Sequence, residues 1–258
     1  MKVTVERDAL APALDTAFAC VMRKPVLAIN GCFRLTAEGK ALRIAADDRD
    51  CAIAVTIAAD VARAGDVAIP ADTLRSIVKA SAQGAQAVID AEPTRATLRV
   101  SRSRYALARL PAYDFPEGRS IPEDDRTVEF DLSGEDAARL FAAPRAFVAT
   151  EANHLNMMGA WLHMHEGRLW SIGMTPYRFF GAAIATPESL HEPEGFTFPD
   201  PEGNDRPGVV IPTQTMDGLL SALERGGRII TNGRTIIAEA ANMRFAGGLI
   251  INPFPPGW

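Results

Sequence analysis

From Val3 the chain alternates apolar and polar residues, and then, in "VTVERDALAPALDTAF", apolar positions recur at Leu10, Leu14 and Phe18. Alternation places side chains on two faces of a strand, whereas spacing by three and four places them on one stripe of a helix, so this stretch predicts a strand running into a helix. "GCFRLTAEGKALRIAADDR" follows as two extended runs turned at Glu38-Gly39, a hairpin pattern. "DVAIPADTLRSIVKASAQGAQAVI" runs extended into Ile-Pro, carries Leu74, Ile77 and Val78 on one helical stripe, and returns to a strand after glycine. "ATLRVSRSRYALARLPAYDFPEG" adds two strands and closes on Phe-Pro.

The same succession recurs from about residue 128 onward, which decides the organisation before any motif is considered. "VEFDLSGEDAARLFAAP" is again a strand and a helix, with Ala137, Leu140 and Phe141 on its apolar stripe and a capping box from Ser133 to Asp136. In "GAWLHMHEGRLWSIGMTPYR" the Glu166-Gly167 turn lies as far from Gly159 as Glu38-Gly39 lies from Gly31. "GVVIPTQTMDGLLSALERGGRII" repeats the run into Ile-Pro and places Met216, Leu219, Leu220 and Leu223 on a fourth helix, and "INPFPPGW" repeats the Phe-Pro close. Each unit is about 125 residues, an ordinary domain size and far longer than a solenoid repeat. The expected domains are 1–122 and 123–258, joined by the polar "RSIPEDDRT" from Arg119 to Thr127. Hairpins outnumber crossovers, so each domain is expected to be α+β, an antiparallel sheet with two helices on one side. With Asp8 as N-cap, Pro12 would fall in a first helical turn, where its missing N–H is harmless. Pro144 is expected to end or bend the third helix. "HEPEGFTFPDPEGNDRPG", rich in proline, glycine and acid, reads as a mobile surface insertion in the second unit alone.

Composition narrows the classes. The 258 residues are 47% hydrophobic and 23% charged, enough for two cores. A net charge of −5 argues against a basic arm coating nucleic acid or membrane, while leaving room for a local basic surface. Cys20, Cys32 and Cys51 are an odd set without metal spacing, and "MKVTVERDAL" has no apolar signal core, so a cytoplasmic location is expected. No run approaches the ~18–20 apolar residues of a membrane span.

Catalytic chemistry finds little support. His163 and His165 share one side of a strand with Glu166 adjacent, but a third ligand is missing, so hairpin histidines are favoured over a metal site. Asp47, Asp48 and Asp50 read as a solvated turn. There is no phosphate-binding glycine loop, nucleophile elbow or paired Cys and His. No enzyme activity, metal or cofactor is expected.

"MKVTVERDAL", "SRSRYALARLPAYDFP", "VVIPTQTMDGLL" and "NPFP", in that order, resemble the bacterial sliding clamp, the beta subunit of DNA polymerase III. The resemblance runs through nearly all of the chain, but it covers two domains of a family that has three. It implies a ring of six domains, sheets outside and helices lining a hole, that encircles duplex DNA and tethers polymerase. Two domains per chain then imply a homotrimer, since head-to-tail contacts close only when the rotation per copy divides the circle. The other reading left open is an interaction module that binds or competes for clamp-binding peptides without encircling DNA.

The resemblance also distributes roles. Sequence-independent DNA contact is expected from cations that neutralise phosphates: Arg7, Arg23, Lys24, Arg75, Lys79, Arg139, Arg145 and Arg225. Opposing them are Asp8, Asp15, Asp72, Glu135, Asp136, Asp217 and Glu224, with Asp72 and Gln214 where the family favours basic residues. A pocket for polymerase and clamp-loader peptides is expected from Met174, Pro176, Tyr177, Arg178 and Phe179, with Leu155 or Met157 as a wall and Pro255 beside it. Only Arg178 keeps the family's usual residue in this run. The subunit seam is expected at Tyr105 and Leu107, facing Phe141 and Phe147; Phe141 reads equally well as core.

Overall fold

A computed structural model of the chain describes residues 1–150, 157–190 and 208–250. It divides into two compact units, Met1–Gly118 and Arg119–Trp258.

In the first unit, β1 (Lys2–Glu6) runs directly into α1 (Arg7–Ala17). The antiparallel strands β2 (Cys32–Glu38), β3 (Ala41–Asp47) and β4 (Cys51–Ala58) lead to the short β5 (Asp60–Arg63) and to β6 (Gly65–Pro70). There α2 (Ala71–Ala80) begins, followed by β7 (Gln86–Ala91), β8 (Ala96–Val100) and β9 (Ser103–Leu107). One sheet has the order β5-β1-β7-β8-β9; the other contains β4-β3-β2-β6. The two helices pack on each other and on β2, β3, β4 and β6, because Leu10, Leu14, Leu74 and Val78 form stripes that are fully buried.

The second unit repeats the plan with β10 (Val128–Leu132), α3 (Gly134–Arg145), β11 (Gly159–His165), β12 (Arg168–Thr175) and β13 (Arg178–Ala185). It continues with β14 (Val209–Pro212), α4 (Thr213–Ala222), β15 (Gly227–Thr231), β16 (Thr235–Ala240) and β17 (Met243–Gly248). Its strand orders are β10-β15-β16-β17 and β13-β12-β11-β14. The fold is α+β, antiparallel throughout the pairings within each unit. Proline acts identically in both halves: Pro70 and Pro212 each end a strand and occupy the N-cap position of the following helix, without a side-chain capping bond. Both expected hairpins form, the first with its turn one residue later than expected: Glu38 is still in β2 opposite Ala41, so Gly39 and Lys40 make the turn. Glu166 and Gly167 both take positive φ, +48° and +69°, the requirement of a two-residue hairpin turn whose twist suits its strands. The acidic cluster is likewise a turn, since Asp48 Oδ1 accepts the Asp50 and Cys51 N–H groups and Asp47 Oδ1 accepts that of Arg49.

Two local expectations need correction. Glu6, not Asp8, is the N-cap of α1, and Pro12 lies inside the helix rather than in its first turn. The Asp8 carboxylate instead accepts the Gly84 N–H at 2.9 Å, and the Arg7 N–H is taken by Ala85 O at 2.8 Å, so the strand passes into the helix without an Asp8 cap. The third helix behaves as expected: Ser133 Oγ accepts the Asp136 N–H at 3.1 Å, and the helix ends one residue after Pro144. Of the segment expected to be a mobile insertion, all but Gly208 lies outside the described residues. Among the described residues no helix is long and apolar enough to cross a membrane.

Candidate functional site

The helices present the cations that sequence reasoning selected, and carboxylates hold most of them. Across the α1/α2 pair, Arg75 Nε donates to Asp15 Oδ1 at 2.5 Å, while its guanidinium carbon lies 4.4 Å from the Phe18 ring centroid. Lys79 Nζ reaches the other Asp15 oxygen at 3.3 Å. Burial alone would push the Asp15 carboxyl up, but the hydrogen bonds and charges of Arg75 and Lys79 outweigh it and hold the group below its usual range. Across the α3/α4 pair, Arg145 is ion-paired with Asp217, and that hydrogen bond raises the guanidinium further above its ordinary value. The latch therefore recurs with its polarity reversed, acid on the first helix of one unit and base on the first helix of the other. Arg139 lies 3.7 Å from Glu135 within α3.

Arg7 is a correction. Its Nε donates to Val78 O at 3.1 Å and its Nη2 to Lys79 O at 2.8 Å, so it caps the carbonyl end of α2 instead of facing phosphate. Arg23 and Lys24 lie exposed in the loop after α1, and Arg225 lies exposed in the turn after α4. Sequence reasoning passed over the next residues of the first loop, Val26 and Leu27, which are 94% and 56% exposed.

On the second unit, Met157 and Met174 come together with Trp161, Ile172, Val210 and Ile250 in one apolar cluster. Pro176 and Tyr177 form the tip of the β12/β13 hairpin, where Thr175 Oγ1 accepts the Arg178 N–H at 3.2 Å. Tyr177 is 95% exposed. Phe179 pairs in register with Met174 and stands on the cluster side, while Phe180 pairs with Gly173 and stands on the α3 side. Phe180 stacks on Phe147 with centroids 5.1 Å apart, and the Arg178 guanidinium lies 5.7 Å from the Phe147 ring. Adjacent aromatics on one strand cannot share a face, and that period-two rule was the available sign that Phe179 and Phe180 serve different surfaces. Leu155 and Pro255 lie outside the described residues.

The expected seam residues separate. Phe141 is fully buried, a correction, because it continues the inner stripe of α3 with Ala137 and Leu140. Leu107 is also buried, since it opposes Ala96 on the core face of its sheet. Tyr105, opposite Leu98, extends the same face at the sheet's edge and remains partly exposed.

His163 stacks on Trp161 at 3.8 Å, and burial, with a smaller contribution from His165, lowers its pKa from 6.5 to about 4. Among the described residues no three His, Cys, Asp or Glu side chains gather as metal ligands. Because the folded state resists protonation that the unfolded chain accepts below 6.5, stability is full above that pH and declines as pH falls toward 4. Urea midpoints should fall across this window, and His163→Gln should shrink that fall; an unchanged slope would contradict the assignment.

Residues 1–119 match the family model described as DNA polymerase III beta subunit, N-terminal domain. The beta sliding clamp of Caulobacter vibrioides is 30% identical over 234 residues, covering 89% of this chain and 59% of that protein. A crystal structure of the Caulobacter crescentus beta sliding clamp aligns with a TM-score of 0.84 at 25% identity, covering 99% of this chain and 66% of the other. The sliding clamp from Bartonella birtlesii bound to griselimycin aligns at 0.86 with 21% identity and the same coverage. The chain thus spans between 59% and 66% of the length of these relatives.

Proposed function

We infer, from a chain that belongs to the DNA polymerase III beta subunit or sliding clamp family, that it acts in the cytoplasm as a clamp on duplex DNA. Copies close head to tail into a ring, and the ring tethers polymerase. The work is topological, so it requires no catalytic group. The observation that carries this reading is the repeated α+β unit, matched along 99% of the chain by a clamp fold at a TM-score of 0.84. DNA is held without sequence preference through Arg23, Lys24 and Arg225, which are exposed and have no carboxylate partner among the described residues, and more weakly through Arg75, Lys79, Arg139 and Arg145, whose charge is shared with carboxylates. Polymerase and loader peptides dock at the Met157/Met174 cluster beside Tyr177 and Phe179, an adaptable methionine and aromatic surface.

The Arg–Asp latches also favour a second reading, a peptide-binding module that does not encircle DNA, because they offset the positive charge a lining helix needs. Retention separates the two. A clamp loaded on DNA should stay on a closed circle through a high-salt wash and be lost once a nuclease linearises the circle. Equal loss from both forms would rule out encirclement and leave the module.

A further inference from the structure

The apolar cluster of the second unit stands on a row of residues that crosses its sheet. Gly181, Ile172, Trp161 and Val210 are partners across successive strands, and Ile250 extends the row by bridging Val210. The first unit has the same row in the same order: Ala54, Ala45, Arg34 and Ala68, extended by Leu110 bridging Ala68. Size and cover differ. Met157 and Met174 complete the second cluster, whereas Ile29 and Phe115 complete the first. Three alanines leave a hollow above the first row, and the Phe115 ring, only 6% exposed, fills it.

We propose that this hollow is a second peptide-docking site, closed by the chain's own strap, residues 110–118, with Phe115 as its built-in ligand. The strap defines the ligand class, a segment with an apolar residue at the strand edge and an aromatic five residues later. Among the described residues, one bridge and the Phe115 ring hold the strap to the sheet: the Leu110 N–H donates to Ala68 O at 2.9 Å and the Ala68 N–H to Leu110 O at 3.2 Å. The Asp114 and Phe115 N–H groups donate within the strap itself, to Pro111 O and Ala112 O, and Pro111 and Pro116 have no N–H to give. Tyr113 is 85% exposed, and Asp114 and Glu117 are exposed beside it. A segment anchored this sparsely opens locally without unfolding its domain. Tethering keeps its effective concentration high, so in the resting chain the strap outcompetes a free peptide. That both sites take one ligand chemistry rests on peptide docking at the Met157/Met174 cluster; closure by Phe115 stands apart from it.

The probe is the strap itself, a synthetic peptide of residues 110–118, LPAYDFPEG, titrated calorimetrically into the full chain. The doubly substituted Leu110→Ser, Phe115→Ser chain, whose strap is released, should bind one equivalent more than wild type. Adding Ala54→Phe to that chain fills the hollow from below and should remove the extra equivalent, and a peptide with alanine in place of its phenylalanine should not occupy it. No extra equivalent, an extra equivalent that survives Ala54→Phe, or equal binding of the alanine peptide would each overturn the site. Should the released chain fail to fold, hydrogen exchange on wild type decides: the Leu110 amide should exchange roughly a hundredfold faster than the amides of the β2/β3 ladder, through local opening of the strap. Equal protection would mean that the strap does not open, and would overturn the proposal. An extra equivalent in the released chain with none bound by wild type would keep the closed site and overturn docking at the Met157/Met174 cluster alone.

Discussion

Phe141→Ala lowers the stability of the second unit by about 3–5 kcal/mol, toward the upper part of the range for an aromatic removed from a core. The ring is fully buried on the inner stripe of α3, so its loss removes both transfer free energy and the contacts of a packed interior. Relaxation is blocked at one end of the helix. Gly173 of β12 lies so close to the carbonyl of Pro144 that even a Cβ there would clash, so α3 already touches the strand backbone and cannot settle inward to fill the space. Urea denaturation followed by circular dichroism reads the effect. Because the cost belongs to the single chain, the loss should not depend on protein concentration. A loss below about 1 kcal/mol, or one that changes with protein concentration, would contradict the assignment of Phe141 to the core.

The combined substitution Asp15→Asn with Asp217→Asn strengthens sequence-independent DNA binding and steepens its salt dependence. It releases Arg75, Lys79 and Arg145 from their carboxylates. Each cation that reaches a phosphate displaces counterions, so the slope of log affinity against log salt should grow by about 2–3 if all three engage. The exposed ion pairs contribute little stability, so folding should change by less than about 1 kcal/mol. Fluorescence anisotropy with a labelled duplex over a salt series gives the slope. An unchanged slope would mean that these helix faces do not meet DNA.

Much of the organisation was legible before the structure. Ile69-Pro70 and Ile211-Pro212 announced the same strand-to-helix transition twice, because proline ends a ladder and suits a helix start irrespective of surroundings. Glu166-Gly167 announced its hairpin by turn chemistry, and Ser133 with Asp136 announced a cap. These are local effects, decided within a few residues. Candidate site residues fared differently. Arg7 looked like a phosphate contact and proved to be a cap for the other helix, since its partners Val78 and Lys79 lie more than seventy residues away. Asp15 and Asp217 looked like unfavourable charges on a DNA-facing surface and proved to be latches.

The sequence by itself determined the duplicated α+β plan and the four amphipathic helices, because periodicity and turn residues act over short spans. Tertiary structure decided which cations are neutralised, that Phe141 and Leu107 are interior, and that Phe180 joins Phe147. Those outcomes depend on which distant elements come together and on which strand edge remains open, and neither is encoded in the spacing of neighbouring residues.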